Sequence, residues 1–205
     1  MDFVQFDVRA VFHDLLDPQG GFIRGAQLEF LDTAMRYYPD ENKLELERLR
    51  LIDIVSSTPR GFFLKPFSWK ANAGFDRKRF YDRDRSLVGD LNGGIGVSYD
   101  LSSSKSLFCA FAEGAALLSG RFDENVALGA GLSLNVFHDL SNRWRIGLSG
   151  RLLEFFQGIS RTTYDIVLSQ RFTLFSQNAL RLEVSRKREF GETHTPVVLK
   201  WQIYF

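Results

Sequence analysis

Apolar and polar residues alternate along much of the chain, most regularly in the last ten residues, PVVLKWQIYF (196–205). Successive side chains of a β-strand point to opposite faces, so this alternation has the period of a strand. One face of that strand is entirely apolar or aromatic and consists of Val197, Leu199, Trp201, Ile203 and Phe205. The other face carries Val198, Lys200, Gln202 and Tyr204. The C-terminal stretch therefore predicts a strand with one wholly apolar side.

The same alternation recurs upstream and predicts about eleven strands in all. The first four are expected at 4–12, 26–38, 44–55 and 67–81, and the last at 196–205. Between them we expect strands at 91–99, 107–118, 126–137, 144–151, 164–175 and 180–188. Segment 44–51 (LELERLRL) also fits a solvated helix because its charges are interleaved. The β-branched residues in the following IDIV (52–55) favour a strand.

Composition restricts the class of protein only in part. The chain has 205 residues, enough for one barrel or for one to two small globular domains. A net charge of +1 gives no global field that would attract nucleic acid, and the charged segment 76–86 (DRKRFYDRDRS) mixes both signs, as a solvated loop does. The 20 phenylalanines exceed the need of a small dry core, whereas a lipid-facing surface would absorb them; a phenylalanine-rich sandwich core is the alternative.

The C-terminal residue adds a resemblance to these patterns. An aromatic last residue, with apolar residues three, five, seven and nine positions from the end, resembles the signal in the closing strand of bacterial outer-membrane barrels, which their assembly machinery reads. The resemblance implies an all-β, antiparallel up-and-down transmembrane β-barrel. Such barrels have even strand numbers, so we expect twelve strands, with one upstream of Met1. Tight links at 102–105, 139–142 and 176–178 mark the expected periplasmic end.

Motifs in the first third of the chain resemble a proteobacterial family that carries an Lnb-type periplasmic domain at its N-terminus. These motifs are HDLLDP (13–18), GAQLEFLDT (25–33), the LxLxxLxLIDI run (44–54) and PFSWK (66–70). The resemblance implies that residues 1–205 are one C-terminal barrel domain of a longer Gram-negative envelope precursor. The expected partners are membrane lipid, the barrel-assembly machinery and the upstream periplasmic domain. No secretion signal follows Met1, which agrees with an excised domain.

Charged residues on the polar sides of the late strands are candidates to face the lumen. They are Arg145, Arg151, Arg171, Arg181, Glu183, Lys187 and Lys200. Two interpretations remain open: a salt-bridged filling of a narrow lumen, or a basic lumen that favours anionic or lipid-headgroup solutes. Aromatic residues of the interfacial girdles are expected at Trp69, Tyr99, Trp144, Trp201 and Tyr204.

Residues that could support catalysis are few. His138 and Ser141 invite comparison with barrel lipases, but their place in a turn favours capping and solvation. The single cysteine, Cys109, has apolar neighbours and fits inert packing. We expect no catalytic residue, cofactor, metal or nucleic acid, and a non-catalytic membrane anchor is the preferred function. A small pore, a barrel lipid hydrolase and a soluble lipocalin-like carrier are the alternatives.

Overall fold

The chain folds into an all-β protein in a computed structural model that describes residues 3–17, 25–81, 85–101, 105–175, 178–191 and 193–203. The twelve strands are β1 (Val4–His13), β2 (Ala26–Tyr38), β3 (Lys43–Ser56), β4 (Ser68–Arg79), β5 (Arg85–Leu101), β6 (Ser106–Leu118), β7 (Val126–Ser141), β8 (Trp144–Gln157), β9 (Arg161–Phe175), β10 (Asn178–Arg188), β11 (Thr193–His194) and β12 (Val197–Ile203). Short 3-10 turns at Pro39–Glu41 and Asp123–Asn125 lie in two of the links. No helix in the described ranges is long and apolar enough to cross a membrane.

The strands form one antiparallel sheet in which each strand from β1 to β10 pairs with its neighbours in sequence. Both β11 and β12 pair with β10, so they are two pieces of one closing strand. Pro196, which has no amide hydrogen to donate, lies at the interruption, and its carbonyl accepts a hydrogen bond from the Ser185 amide at 3.0 Å. Within the described ranges the sheet therefore has eleven crossings, as the alternation predicts, and segment 44–55 is a strand.

The sheet curls into a barrel-like shape whose first and last strands approach each other. An odd number of antiparallel crossings makes β1 and β12 run in the same direction. Lys200 Nζ of β12 lies 3.8 Å from Asp7 Oδ2 of β1. Among the residues that the structure describes, however, no ladder of hydrogen bonds joins β1 to β12.

Glycine permits close backbone approach between neighbouring middle strands. A Cβ atom on Gly96 of β5 would lie 1.9 Å from the carbonyl oxygen of Ala110 on β6. A Cβ atom on Gly131 of β7 would lie equally close, at 1.9 Å, to the carbonyl oxygen of Leu152 on β8. Only glycine lets neighbouring strands pass at such distances, which explains why the glycine-rich segments lie in the middle strands.

The two ends of the sheet differ in their links. The end that carries the short links 102–105, 142–143 and 176–177, here called the turn end, also carries the longer links 14–25 and 57–67. The opposite end, here called the loop end, carries the links 39–42, 80–84, 119–125, 158–160 and 189–192. One apolar cluster of buried side chains lies near each end: Leu16, Leu107, Cys109, Phe111 and Phe137 at the turn end, and Phe80, Val88, Leu117, Phe122, Leu153, Phe155 and Phe190 at the loop end.

Candidate functional site: the charged lumen

The inner face of the curved sheet surrounds a cavity of about 720 Å³ that is lined mostly by charged and polar side chains. Strands from every part of the sheet contribute to this lining, because every second residue of each strand points inward. Because residues of all twelve strands line it, the lumen is the candidate functional site.

A network centred on Glu113 crosses the middle of the lumen. Glu113 of β6 has a fully buried side chain and forms ion pairs with Lys70 of β4 and with Arg151 of β8, the latter at 2.8 Å. Lys70 also donates to Ser133 Oγ at 3.0 Å, and Asn92 donates to Glu113 Oε2 at 3.1 Å. One buried carboxylate thus holds two cations from strands on both sides of it.

A second network fills the part of the lumen formed by the early strands. The guanidinium of Arg50 contacts Asp53 Oδ2 at 3.0 Å and Asp76 Oδ2 at 3.3 Å. Lys78 Nζ lies 3.6 Å from Asp90 Oδ2. These charges come from three neighbouring strands, β3, β4 and β5. Arg50, one of the interleaved charges in 44–51 that also suited a helix, thus takes part in a network that joins strands.

Four of the seven predicted lumen residues form a basic row near the turn end. Directly paired positions on β8, β9, β10 and β12 carry Arg145, Arg171, Arg181 and Lys200. Like charges on adjacent strands repel unless acidic groups intervene. Acidic groups do intervene: Arg145 Nη1 lies 3.3 Å from Asp139 Oδ1, and Glu183 lies 2.8 Å from Arg181 and 3.2 Å from Lys200.

The other predicted lumen residues are paired as well. Arg151 belongs to the Glu113 network, and Lys187 Nζ lies 3.2 Å from Asp165 Oδ2. Five of the seven predicted residues line the cavity, and Arg145 and Arg171 are buried beside it. The arrangement is a charge-compensated interior.

A short segment after β1 enters the lumen at the turn end, and its inward position was not predicted from the sequence. Residues 14–17 (DLLD) form a turn in which the Asp17 amide donates to the Asp14 carbonyl at 2.9 Å, and the Leu16 amide donates to Asp14 Oδ1 at 2.8 Å. The Asp14 carboxylate forms an ion pair with Arg181, and Asp17 Oδ1 lies 3.4 Å from Arg171 Nε. This segment, here called the plug, therefore supplies two anions to the basic row.

The plug also brings apolar side chains to the turn end. Leu16 is buried with Leu107, Cys109, Phe111 and Phe137, and Leu15 packs against the same cluster. A Cβ atom on Gly147 would lie 3.1 Å from Leu16 Cδ2, so the glycine makes room for the plug. The only sequence signal for the plug was the pair of acidic residues that flank two leucines in HDLLDP. That signal fits a solvated turn equally well.

Aromatic side chains cluster at the loop end. The rings of Phe80, Phe122 and Phe190 lie with their centroids 5.3 to 5.8 Å apart, and Phe155 packs on Phe190 at 5.3 Å. A single bridge between Phe80 and Phe190 ties the link after β4 to the link after β10. Side chains from distant strands thus meet across this end of the lumen.

The outer face of the sheet is apolar and exposed. On β12, the side chains of Val197, Leu199, Trp201 and Ile203 point outward, and Trp201 is 70% exposed. Phe205 and Tyr204 lie outside the described residues. Trp69, Tyr99, Trp144 and Trp201 are all exposed and all lie near the turn end of their strands, so the predicted girdle residues that are described lie at one end of the sheet.

The residues considered for catalysis do not come together. The hydroxyl of Ser141 accepts a hydrogen bond from the Arg143 amide at 3.3 Å within the turn. His138 Nδ1 instead lies 2.7 Å from Ser106 Oγ on the neighbouring strand. Cys109, the single cysteine, is a buried free thiol. Within the described part of the chain, no three histidine, cysteine, aspartate or glutamate residues are grouped as a metal site would require.

These features define an antiparallel up-and-down β-sheet protein of the β-barrel type, with a charged interior and an apolar exterior. The chain belongs to the family described as "Domain of unknown function (DUF7840)", whose model matches residues 1–204. No curated protein and no solved structure matches the chain.

Proposed function

We propose that the chain is a transmembrane β-barrel of a Gram-negative outer membrane that anchors a larger envelope protein and has no catalytic activity of its own. The observation that carries this proposal is the inverted distribution of polarity: ion pairs line the interior, and aliphatic and aromatic side chains cover the exterior. A bilayer core favours this arrangement, because closure satisfies the backbone and an apolar belt meets the lipid tails.

The exterior argues for lipid and against a soluble carrier. Exposed apolar positions recur on the outer side of nearly every long strand, for example Val8 on β1, Ile95 on β5, Leu132 on β7, Leu152 on β8 and Leu199 on β12. A soluble monomer seldom exposes so continuous an apolar surface. A lipocalin-like carrier needs an apolar interior for its ligand, and the described lumen is charged.

The interior supports an anchor over a pore. Each cation of the basic row has an acidic neighbour, and apolar clusters lie at both ends of the lumen. A conducting pore needs a continuous aqueous path, which both clusters would obstruct. The cavity of about 720 Å³ among the described residues favours a small pore, which is the second candidate.

The directions of the edge strands support an additional strand in the intact barrel. Because β1 and β12 run in the same direction, one strand antiparallel to both would restore an even number and satisfy both edges. We assign this strand, and an upstream periplasmic domain of the Lnb type, to a longer precursor. The barrel-assembly machinery would then read the C-terminal strand.

Folding in a defined medium tests the membrane assignment. Purified protein that includes the proposed additional strand together with residues 1–205 is transferred from urea either into plain buffer or into detergent micelles. Its β-structure is followed by circular dichroism and by its gel mobility with and without boiling. We expect folded, heat-modifiable protein only with detergent. A folded monomer in plain buffer would contradict the proposal. Conductance of the folded protein in planar bilayers then separates the two candidates: steady current supports a pore, and its absence supports an anchor.

A further inference from the structure

The link between β3 and β4 exposes an unusual amount of aromatic surface. In the segment 60–67 (RGFFLKPF), Phe62 is 88% exposed and Phe63 is 91% exposed, and Leu64 and Phe67 are also largely exposed. Four large apolar side chains in six residues are costly to leave in water, and such a surface marks an interaction site. We propose that this segment, here called the aromatic loop, inserts into the lipid interface at the turn end and binds anionic headgroups.

The aromatic loop has a defined shape in spite of its exposure. The Gly61 amide donates to the Leu64 carbonyl at 2.8 Å, which closes a turn with Phe62 and Phe63 at its tip. The two rings pack edge to face with their centroids 5.1 Å apart. The Arg60 amide donates to the Ser98 carbonyl of β5 at 2.8 Å, which ties the loop to the sheet. The aromatic tip is therefore presented on a fixed base.

The positive charge of the aromatic loop favours an anionic surface. Segment 57–67 contains two cations, Arg60 and Lys65, and no acidic residue. The Arg60 guanidinium lies 5.8 Å from the centre of the Phe67 ring, so a cation and an apolar group share one side of the loop. Aromatic rings at the headgroup level with cations beside them are the usual composition of an interfacial membrane anchor. Each cation near an anionic surface raises partitioning about fivefold.

The position of the aromatic loop also agrees with insertion into the lipid interface. Trp69, at the start of β4, and Tyr99, near the end of β5, are exposed on the outer face next to the base of the loop. All four described girdle residues lie at this end of the sheet. The aromatic loop thus continues the apolar exterior beyond the strand ends. The inference rests on the proposed function, because a lipid surface reaches the loop only if the barrel spans the membrane.

Spin-label accessibility in lipid bilayers tests the proposal. Cys109→Ala protein carries a nitroxide at Phe63→Cys, and relaxation by oxygen is compared with relaxation by a water-soluble nickel chelate. Leu132→Cys on the outer face of β7 is the lipid reference, and Asp123→Cys in the link after β6 is the aqueous reference. Bilayers contain phosphatidylcholine with or without phosphatidylglycerol. We expect a several-fold higher oxygen-to-nickel ratio at Phe63 than at Asp123, rising with phosphatidylglycerol, and we expect Arg60→Gln/Lys65→Gln to abolish that rise.

The outcomes separate the two proposals. If Leu132 reports lipid while Phe63 is as accessible to nickel as Asp123, the aromatic loop does not insert, and the present inference is overturned while the barrel assignment stands. If Phe63 is shielded from both oxygen and nickel, a protein surface covers the loop, which also overturns it. If Leu132 itself is aqueous, the membrane assignment fails. If the oxygen-to-nickel ratio at Phe63 does not change with phosphatidylglycerol, the proposed binding of anionic headgroups is overturned.

Discussion

Removing the charge of Glu113 provides the sharpest test of the lumen network. Glu113→Gln keeps the size of the side chain and leaves Lys70 and Arg151 without their shared carboxylate. Breaking a buried ion pair by removing one partner costs about 3–5 kcal/mol. The lower end applies here, because Lys70 and Arg151 keep 17% and 31% of their side-chain surface exposed while Glu113 keeps 0%. We therefore expect the free energy of unfolding to fall by about 3 kcal/mol, or about a hundredfold in the equilibrium constant.

Urea titration of the protein in lipid or detergent measures this loss through tryptophan fluorescence. Glu124→Gln, in the exposed link after β6, is the matched control and should change the free energy of unfolding by less than about 0.5 kcal/mol. Adding Lys70→Gln to Glu113→Gln removes one unpaired cation and should restore part of the loss, as a double-mutant cycle reports. The slope of the titration should stay constant among the variants, because the buried area does not change.

Equal stability of Glu113→Gln and Glu124→Gln would refute the reasoning. Lumen water would then solvate Lys70 and Arg151 well enough that the carboxylate contributes little. The interior would have to be described as an aqueous channel with charged walls, and the pore would become the better of the two candidate functions.

Three further predictions concern the plug, the exterior and the glycines. Asp14→Asn/Asp17→Asn removes the anions that hold the plug to the basic row, and current through planar bilayers should rise above that of the unmodified chain; unchanged current would argue against a closing role. Leu134→Arg in the middle of β7 should destabilise the lipid-embedded protein by about 2–4 kcal/mol, whereas Leu134→Met should be nearly neutral; tolerance of the arginine would place this face in water. Gly131→Ala should destabilise by about 1–3 kcal/mol because its Cβ would meet a carbonyl oxygen, whereas Gly150→Ala, with open space around it, should not; equal urea midpoints would contradict the packing.

Much of the fold could be predicted from local patterns. The alternation in 126–137 and in 197–203 identifies strands and tells which side chains share a face, because this period depends only on the extended backbone. The structure confirms strands at the predicted places and shows that 44–55 is a strand. The expectation of a solvated loop at 76–86 is wrong at its two ends, because residues 76–79 belong to β4 and residues 85–86 to β5, and Asp76 and Lys78 face the lumen. The sequence alone does not exclude a helix at 44–51, because charges at i and i+4 suit a helical surface as well as a strand whose neighbours carry opposite charges.

The candidate site could be predicted only in outline. The sequence indicates that Arg145, Arg171, Arg181 and Lys200 occupy the polar sides of their strands, and pairing then sets them side by side. It does not indicate that Asp14 and Asp17, more than a hundred residues upstream, supply their anions. A turn of the type found in HDLLDP has the same local hydrogen bonds whether it faces water or enters a lumen, so only the curvature of the sheet distinguishes the two.

The sequence by itself determined the all-β fold class, because strand period and the polarity of each face are properties of neighbouring residues along the chain. The tertiary structure alone decided which charges compensate each other, how the two ends of the lumen are filled, and that the described girdle residues and the aromatic loop share one end. These properties depend on the register between strands and on the bending of the sheet, which bring together residues far apart in the chain.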